Sequence, residues 1–121
     1  MGVVMAVKAV RGAIQVSENK AECIKTAVLR LINEITEYNK IDEDEIISII
    51  FSQTVDLTAL NPASALRTVG FSEVALFCTQ EPVIENSMER VIRVLISIDS
   101  DKKLKPVYLD GAKILRLDIV N

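Results

Sequence analysis

The sequence predicts a single α+β domain, a mixed sheet with its helices on one face, and three observations carry that reading. Half of the 121 residues are hydrophobic, which is enough for one core in a chain too short for two ordinary domains, so residues 1–121 are read as one unit. The apolar residues are Ile, Val, Leu and Ala with no Trp, a composition suited to a sheet covered by helices. The hydrophobic period also changes along the chain, in the order strand, long helix, strand, short helix, then mostly strands.

Residues Val3 to Val16 are rich in β-branched side chains and read as the first strand, with a bend at Arg11-Gly12. From about Ser17 to Asn39, the apolar residues Ala21, Ile24, Val28, Leu31, Ile35 and Tyr38 recur every three or four positions. That spacing predicts an amphipathic helix entered through Ser17 or Asn19 as its cap. Asp42 to Glu45 reads as a turn of helix at the surface, and the apolar run IISIIFSQT after it as a buried central strand. Asn61-Pro62 opens a short second helix, with Asn as N-cap and Pro in the first helical position, and Gly70 stops it. Strand-like segments follow at about Glu73 to Gln80, Arg90 to Ile98 and Pro106 to Arg116, the last broken by the hairpin-type dipeptide Asp110-Gly111.

Helices on one face leave the other face of the sheet needing cover. Since the strands stay apolar on alternate residues, the chain is expected to self-associate with its sheets packed around a common axis. Burial alone leaves the number of subunits open.

Composition removes several classes of function. Asp and Glu exceed Lys and Arg by seventeen to fourteen, so there is no electrostatic case for a nucleic-acid or anionic-membrane partner. A small ligand is the expected partner. The start MGVVMAVKAV lacks the long apolar stretch of a signal peptide, and no run approaches the length of a membrane span. Cys23 and Cys78 stand far apart, fitting neither a CxxC redox pair nor a metal cluster, which points to a reducing cytoplasm. There is no histidine, hence no Ser-His-Asp or Cys-His nucleophile, no His-ligated zinc and no imidazole base. Glycine occurs only at positions 2, 12, 70 and 111, which rules out GxGxxG and Walker-type phosphate cradles. An enzyme of this composition is expected to work without metal, cofactor or strong base.

Arg93 is the most informative residue. In VIRVLISI, Ile92, Val94, Ile96 and Ile98 share one strand face and Val91, Arg93, Leu95 and Ser97 the other. An arginine in mid-strand among apolar neighbours needs a partner, because an isolated buried guanidinium costs several kcal/mol. That partner is a protein carboxylate or an anionic ligand. Arg11 raises the same question, its plain alternative being a solvated strand end. Glu81 follows the strand ALFCTQ, where side chains often enter sites, or is an exposed loop acid. Cys78 reads equally as a small buried hydrophobe, Tyr108 as core with a satisfied hydroxyl, and Arg67 as a solvated helix residue.

Several segments in order then resemble one family, the monofunctional trimeric chorismate mutases. They are VRGAIQV with Arg11, TVDLTALNPASALR with Arg67, CTQE with Cys78 and Glu81, RVIRVL with Arg93, and VYLDGAKILR with Tyr108 and Arg116. The resemblance implies a homotrimer shaped as a pseudo-α/β barrel, with active sites in clefts between subunits and chorismate as substrate. It implies that Arg11, Cys78, Glu81, Arg93, Tyr108 and Leu115 line the cleft from one subunit, and Ala63 and Arg67 from the next. By the same resemblance, Arg93 binds the ether oxygen and a carboxylate, Arg11 and Tyr108 the enolpyruvyl carboxylate, and Glu81 with Cys78 the ring hydroxyl.

The chain departs from the family pattern at Asn61 and Ser64, where a Phe and a Lys are common, at Phe77 in place of a Thr, and in a short loop from Asp99 to Lys105 and a short tail after Arg116. Asn61, Ser64 and the short tail keep a second expectation in view, a non-catalytic metabolite-binding trimer of the same fold, and fold-level analogy alone adds a third, an imine deaminase of similar architecture.

Overall fold

A computed structural model of the chain describes residues 6–117. Five strands form one mixed sheet in the order β3-β2-β4-β1-β5, where β1 is Val7–Gln15, β2 Ile46–Gln53, β3 Ala75–Gln80, β4 Val91–Asp99 and β5 Val107–Leu109. The central β4 runs antiparallel to both β1 and β2, while β3 and β5 lie parallel to β2 and β1 at the two edges. The segment expected as a buried central strand is β2, an inner strand between β3 and β4; the centre of the sheet is β4, and Ile47 and Ile50 of β2 stay exposed. Residues 3–5 of the expected first strand lie outside the described residues.

One face of the sheet is closed by helices. α1, Ala21–Tyr38, buries Ile24, Ala27, Val28, Leu31, Ile32 and Ile35 in a core shared with Val10, Ile14, Ile49, Phe51, Ile92, Val94, Ile96 and Ile98. The last four belong to the β4 face anticipated from alternation. α2, Pro62–Arg67, covers the same side through Pro62, Ala65 and Leu66, and is capped by the Asn61 side chain, which accepts the Ala63 N–H at 2.8 Å. The acidic turn after α1 is a short 3-10 helix, Glu43–Glu45.

Three expectations are corrected. β1 does not bend at Gly12. The strand runs straight through it, and the glycine is needed because a Cβ there would stand 2.6 Å from Ile35 Cδ1 and 2.9 Å from the Val107 carbonyl oxygen; helix and edge strand close onto bare backbone. α1 begins at Ala21 and not at Ser17, because Asn19 caps something else. Its Oδ1 accepts the N–H groups of Thr58 and Ala59 at 3.0 Å and its amide donates to Thr58 Oγ1 at 2.9 Å, pinning the loop that leads to α2.

The third correction concerns Asp110-Gly111, which makes no hairpin. β5 ends at Leu109 and the chain turns into a 3-10 segment, Asp110–Arg116. Asp110 takes a left-handed φ of 54°, and one guanidinium nitrogen of Arg30 on α1 donates to both its carboxylate oxygens at 2.8 and 2.9 Å. That tie directs the chain across the sheet edge, where Ala112 and Leu115 pack on Tyr108, Ala13 and Val91. A returning strand would leave those side chains uncovered.

Candidate active site

The face of the sheet away from the helices carries the candidate site, and the strand register composes it. Reading across the five strands, the residues aligned on one row are Thr79, Ser52, Arg93, Ala13 and Tyr108. The adjacent row holds Phe77, Ile50, Leu95 and Arg11. Arg11, Arg93 and Tyr108, separated by more than eighty residues in sequence, thus share one face because antiparallel and parallel pairing set their strands in this order.

Arg93 has a partner. Its Nε lies 2.7 Å from Glu81 Oε1, and Ser52 Oγ donates to the same oxygen at 2.8 Å. Glu81 is not the exposed loop acid of the plainer reading. Its N–H continues the β2–β3 ladder by donating to the Gln53 carbonyl at 2.8 Å, and only 19% of its side chain is exposed. The Arg93 side chain stays 44% exposed, so this is not the sealed ion pair of a core. A charged donor held at one end by a carboxylate presents its remainder to whatever covers the face.

Arg11 is no strand end. It sits in the middle of β1, exposed, and makes no ion pair among the described residues. Tyr108 is almost fully buried beneath the 3-10 segment, with the Arg116 guanidinium 6.0 Å from its ring centroid and Leu115 against it. The side chains of Arg11, Glu81, Arg93, Tyr108 and Leu115 are thereby gathered on one face of a single chain.

Three expected residues are not brought there. Ala63 and Arg67 lie on α2, on the helix-covered side. Cys78 pairs with Phe51 across β2–β3 and packs on the core, so its thiol points to the same side as α2. It lines a cavity of about 320 Å³ with Gln53, Leu57, Thr58 and Thr79, where Gln53 Oε1 is a buried acceptor without a partner. A cavity of about 480 Å³ between the start of α1 and the 3-10 segment touches neither Arg93 nor Arg11. Among the described residues nothing buries the Arg93 side chain, which stays 44% exposed.

Burial pushes the Cys78 thiol up from its ordinary value, so it is neutral at physiological pH and is a hydrogen-bond donor, not a nucleophile. Cys78→Ser is accordingly expected to keep kcat/KM within about fivefold of the parent, a loss smaller than that of one strong polar contact; a collapse of activity would show a thiolate at work.

Sequence reasoning passed over Ser52 and Gln53. The signal was present: in IISIIFSQ, Ser52 has the parity of Ile50 and Ser48 and therefore faces away from the helices. Which strand lies opposite it was not readable.

Residues 7–119 match the family model described as chorismate mutase type I. The chain belongs to that family. Members of the chorismate mutase type I family convert chorismate to prephenate, an isomerisation in aromatic amino-acid biosynthesis. The chain is 38% identical over 117 residues to chorismate mutase AroH of Thermus thermophilus, covering 93% of this chain and 96% of the relative. It is 29% identical over 119 residues to chorismate mutase AroH of Bacillus subtilis, covering 95% and 94%. Among solved structures it resembles a chorismate mutase from Clostridium thermocellum with a TM-score of 0.86 and 44% identity, over 88% of this chain and 98% of that one. This family membership displaces the imine-deaminase reading, which rested on fold analogy alone, and the non-catalytic reading that Asn61, Ser64 and the short tail had kept open.

Proposed function

We propose that the face bearing Arg93, Arg11 and Tyr108 is the chorismate site, completed between subunits of a homotrimer. The observation that carries this reading is the Ser52–Glu81–Arg93 array on the part of the face that the 3-10 segment leaves uncovered. One row of that part, across β3, β2 and β4, exposes Phe77 at 63%, Ile50 at 39% and Leu95 at 38%, an apolar surface that water does not favour and that a second copy of the same sheet would cover. Packing three such faces around an axis makes the expected pseudo-barrel, with the helices outside.

A dianionic substrate suits this chemistry. The reaction is pericyclic: the ether C–O bond breaks as a C–C bond forms, with no proton transfer and no covalent intermediate. The protein supplies two things. It holds the flexible substrate in its compact reactive conformer, and it places a fixed cation where negative charge grows on the ether oxygen. Arg93 is that cation, and Glu81 holds it. Arg11 with Tyr108 takes the enolpyruvyl carboxylate, and Leu115 closes the apolar side.

The remaining contacts come from the neighbour. Arg67 and Ala63 cannot reach their own chain's Arg93, because the sheet lies between them; across a subunit boundary Arg67 takes the ring carboxylate. Cys78 is regrouped with them, since its thiol faces the α2 side, and it meets the ring hydroxyl from the second subunit while Glu81 meets it from the first. Two free thiols support a reducing cytoplasm as the place of action, and no helix of the described residues is long and apolar enough to cross a membrane.

The test is loss of chorismate absorbance with purified protein, read beside sedimentation. The expected result is turnover above the uncatalysed rate in a three-subunit species. A well-folded monomer that turns over chorismate at the parent rate would overturn the shared site.

A further inference from the structure

We infer that Ser52 is a positioning residue for this reaction, acting through Glu81 on Arg93; the inference rests on the proposed placing of chorismate over Arg93. Ser52 is a half-buried residue of the inner strand β2, directly opposite Arg93 across the β2–β4 ladder. Its hydroxyl donates to Glu81 Oε1 at 2.8 Å, the same oxygen that Arg93 Nε approaches at 2.7 Å.

The geometry gives the hydroxyl a task that neither charged residue performs alone. The Glu81 backbone is fixed by its hydrogen bond to the Gln53 carbonyl, but a glutamate side chain still turns about three bonds and an isolated carboxylate follows the nearest cation. Left to itself it can slide from Nε to the two terminal nitrogens of Arg93, where a planar guanidinium and a carboxylate fit side by side. Those nitrogens are the end of the arginine that an incoming oxyanion needs. Ser52 anchors the oxygen that Arg93 Nε approaches and so holds the carboxylate at that end of the guanidinium. A guanidinium engaged at its base keeps its terminal donors for an incoming anion.

The sheet keeps this arrangement rigid. Serine and arginine occupy paired positions on adjacent antiparallel strands, where Cβ atoms stand roughly 5 Å apart, and Glu81 extends from the third strand in the row. Two neighbouring strands supply Ser52 and Arg93, and Glu81 stands one residue past the end of β3 with its N–H held by the Gln53 carbonyl at 2.8 Å, so strand pairing sets the distances of the first two and the continued ladder that of the third.

The decisive experiment compares Ser52→Thr with Ser52→Val, which have the same shape and differ in the hydroxyl alone. Thr is expected to keep kcat within about twofold of the parent, and Val to lose about tenfold, the effect of one hydrogen bond to a charged group, with KM moving less than kcat because the misdirected donor matters most where charge develops. Both variants are measured as assembled protein of parental thermal stability. In the Glu81→Gln background the Thr and Val variants should have equal kcat, since the hydroxyl acts only through that carboxylate. Equal kcat for Thr and Val in the parent background overturns the role of Ser52, as does an undiminished tenfold gap in the Glu81→Gln background. If Glu81→Gln by itself leaves kcat/KM unchanged, the placing of chorismate over this array is wrong, and the role of Ser52 is overturned with it.

Discussion

Replacing Arg93 by Gln is expected to lower kcat by about a thousandfold while assembly stays intact. Gln keeps a hydrogen-bond donor and loses the fixed charge. Because negative charge on the ether oxygen is small in bound chorismate and large in the transition state, the loss falls on turnover and only slightly on KM. Removing one preorganised donor from such a site costs about 3 to 4 kcal/mol, which sets the scale. Stability falls modestly. The Arg93 side chain is 44% exposed, where an ion pair contributes on the order of 1 kcal/mol or less, and the largely buried Glu81 carboxylate that loses its cation keeps the Ser52 hydroxyl as a donor. Steady-state kinetics beside a thermal melt measure both parts; a variant with parental kcat would remove Arg93 from the chemistry, and a variant that melts far below the parent would return it to a structural role.

Two inactive variants, Arg67→Ala and Arg93→Ala, should recover activity when unfolded and refolded together. In the proposed trimer each site takes its Arg93 from one subunit and its Arg67 from the next, so in a random mixture about one quarter of the sites would receive both arginines. The recovered rate is therefore about a quarter of the parental rate at low substrate, against almost nothing from either variant refolded alone. Arg67→Ala by itself should fail chiefly through KM, since a ring-carboxylate contact is made equally in the ground and transition states. The prediction follows from topology. α2 packs on the helix-covered side of the sheet, and Arg93 lies on the other, so the two arginines of one chain cannot meet. A mixture no more active than the mean of its components would place a complete site within one chain.

The helices and the strand faces were legible from local pattern. Of the six residues its period selects, α1 buries Ile24, Val28, Leu31 and Ile35 and leaves Ala21 and Tyr38 at its ends exposed, and β4 buries Ile92, Val94, Ile96 and Ile98 while turning Arg93 outward. Both follow from side-chain direction, which is a property of neighbouring residues in the chain. Asn61 capped α2 as its identity implied. The errors came where a residue was claimed by a distant partner. Asn19 left the helix start for the backbone of Thr58 and Ala59, and Asp110 was drawn by Arg30 out of a hairpin into a 3-10 turn. Neither choice has a local signal, because Asn and Asp suit caps and turns of several kinds.

The candidate site divides along the same line. Residue types sufficed to exclude histidine, metal-cluster and phosphate-loop chemistry and to mark Arg93 as a charge in need of a partner. Family segments added the other arginines, Glu81 and Tyr108. Sheet order and register alone decided that Glu81 and not a distant acid holds Arg93, that Ser52 stands behind them, and that Cys78 faces away with α2. Those are contacts between strands, and strand pairing is settled by burial of the whole sheet, not by any one segment. A sequence fixes which way each side chain points along its own strand; which side chains then face each other depends on how every strand is placed, and that exists only in the folded sheet.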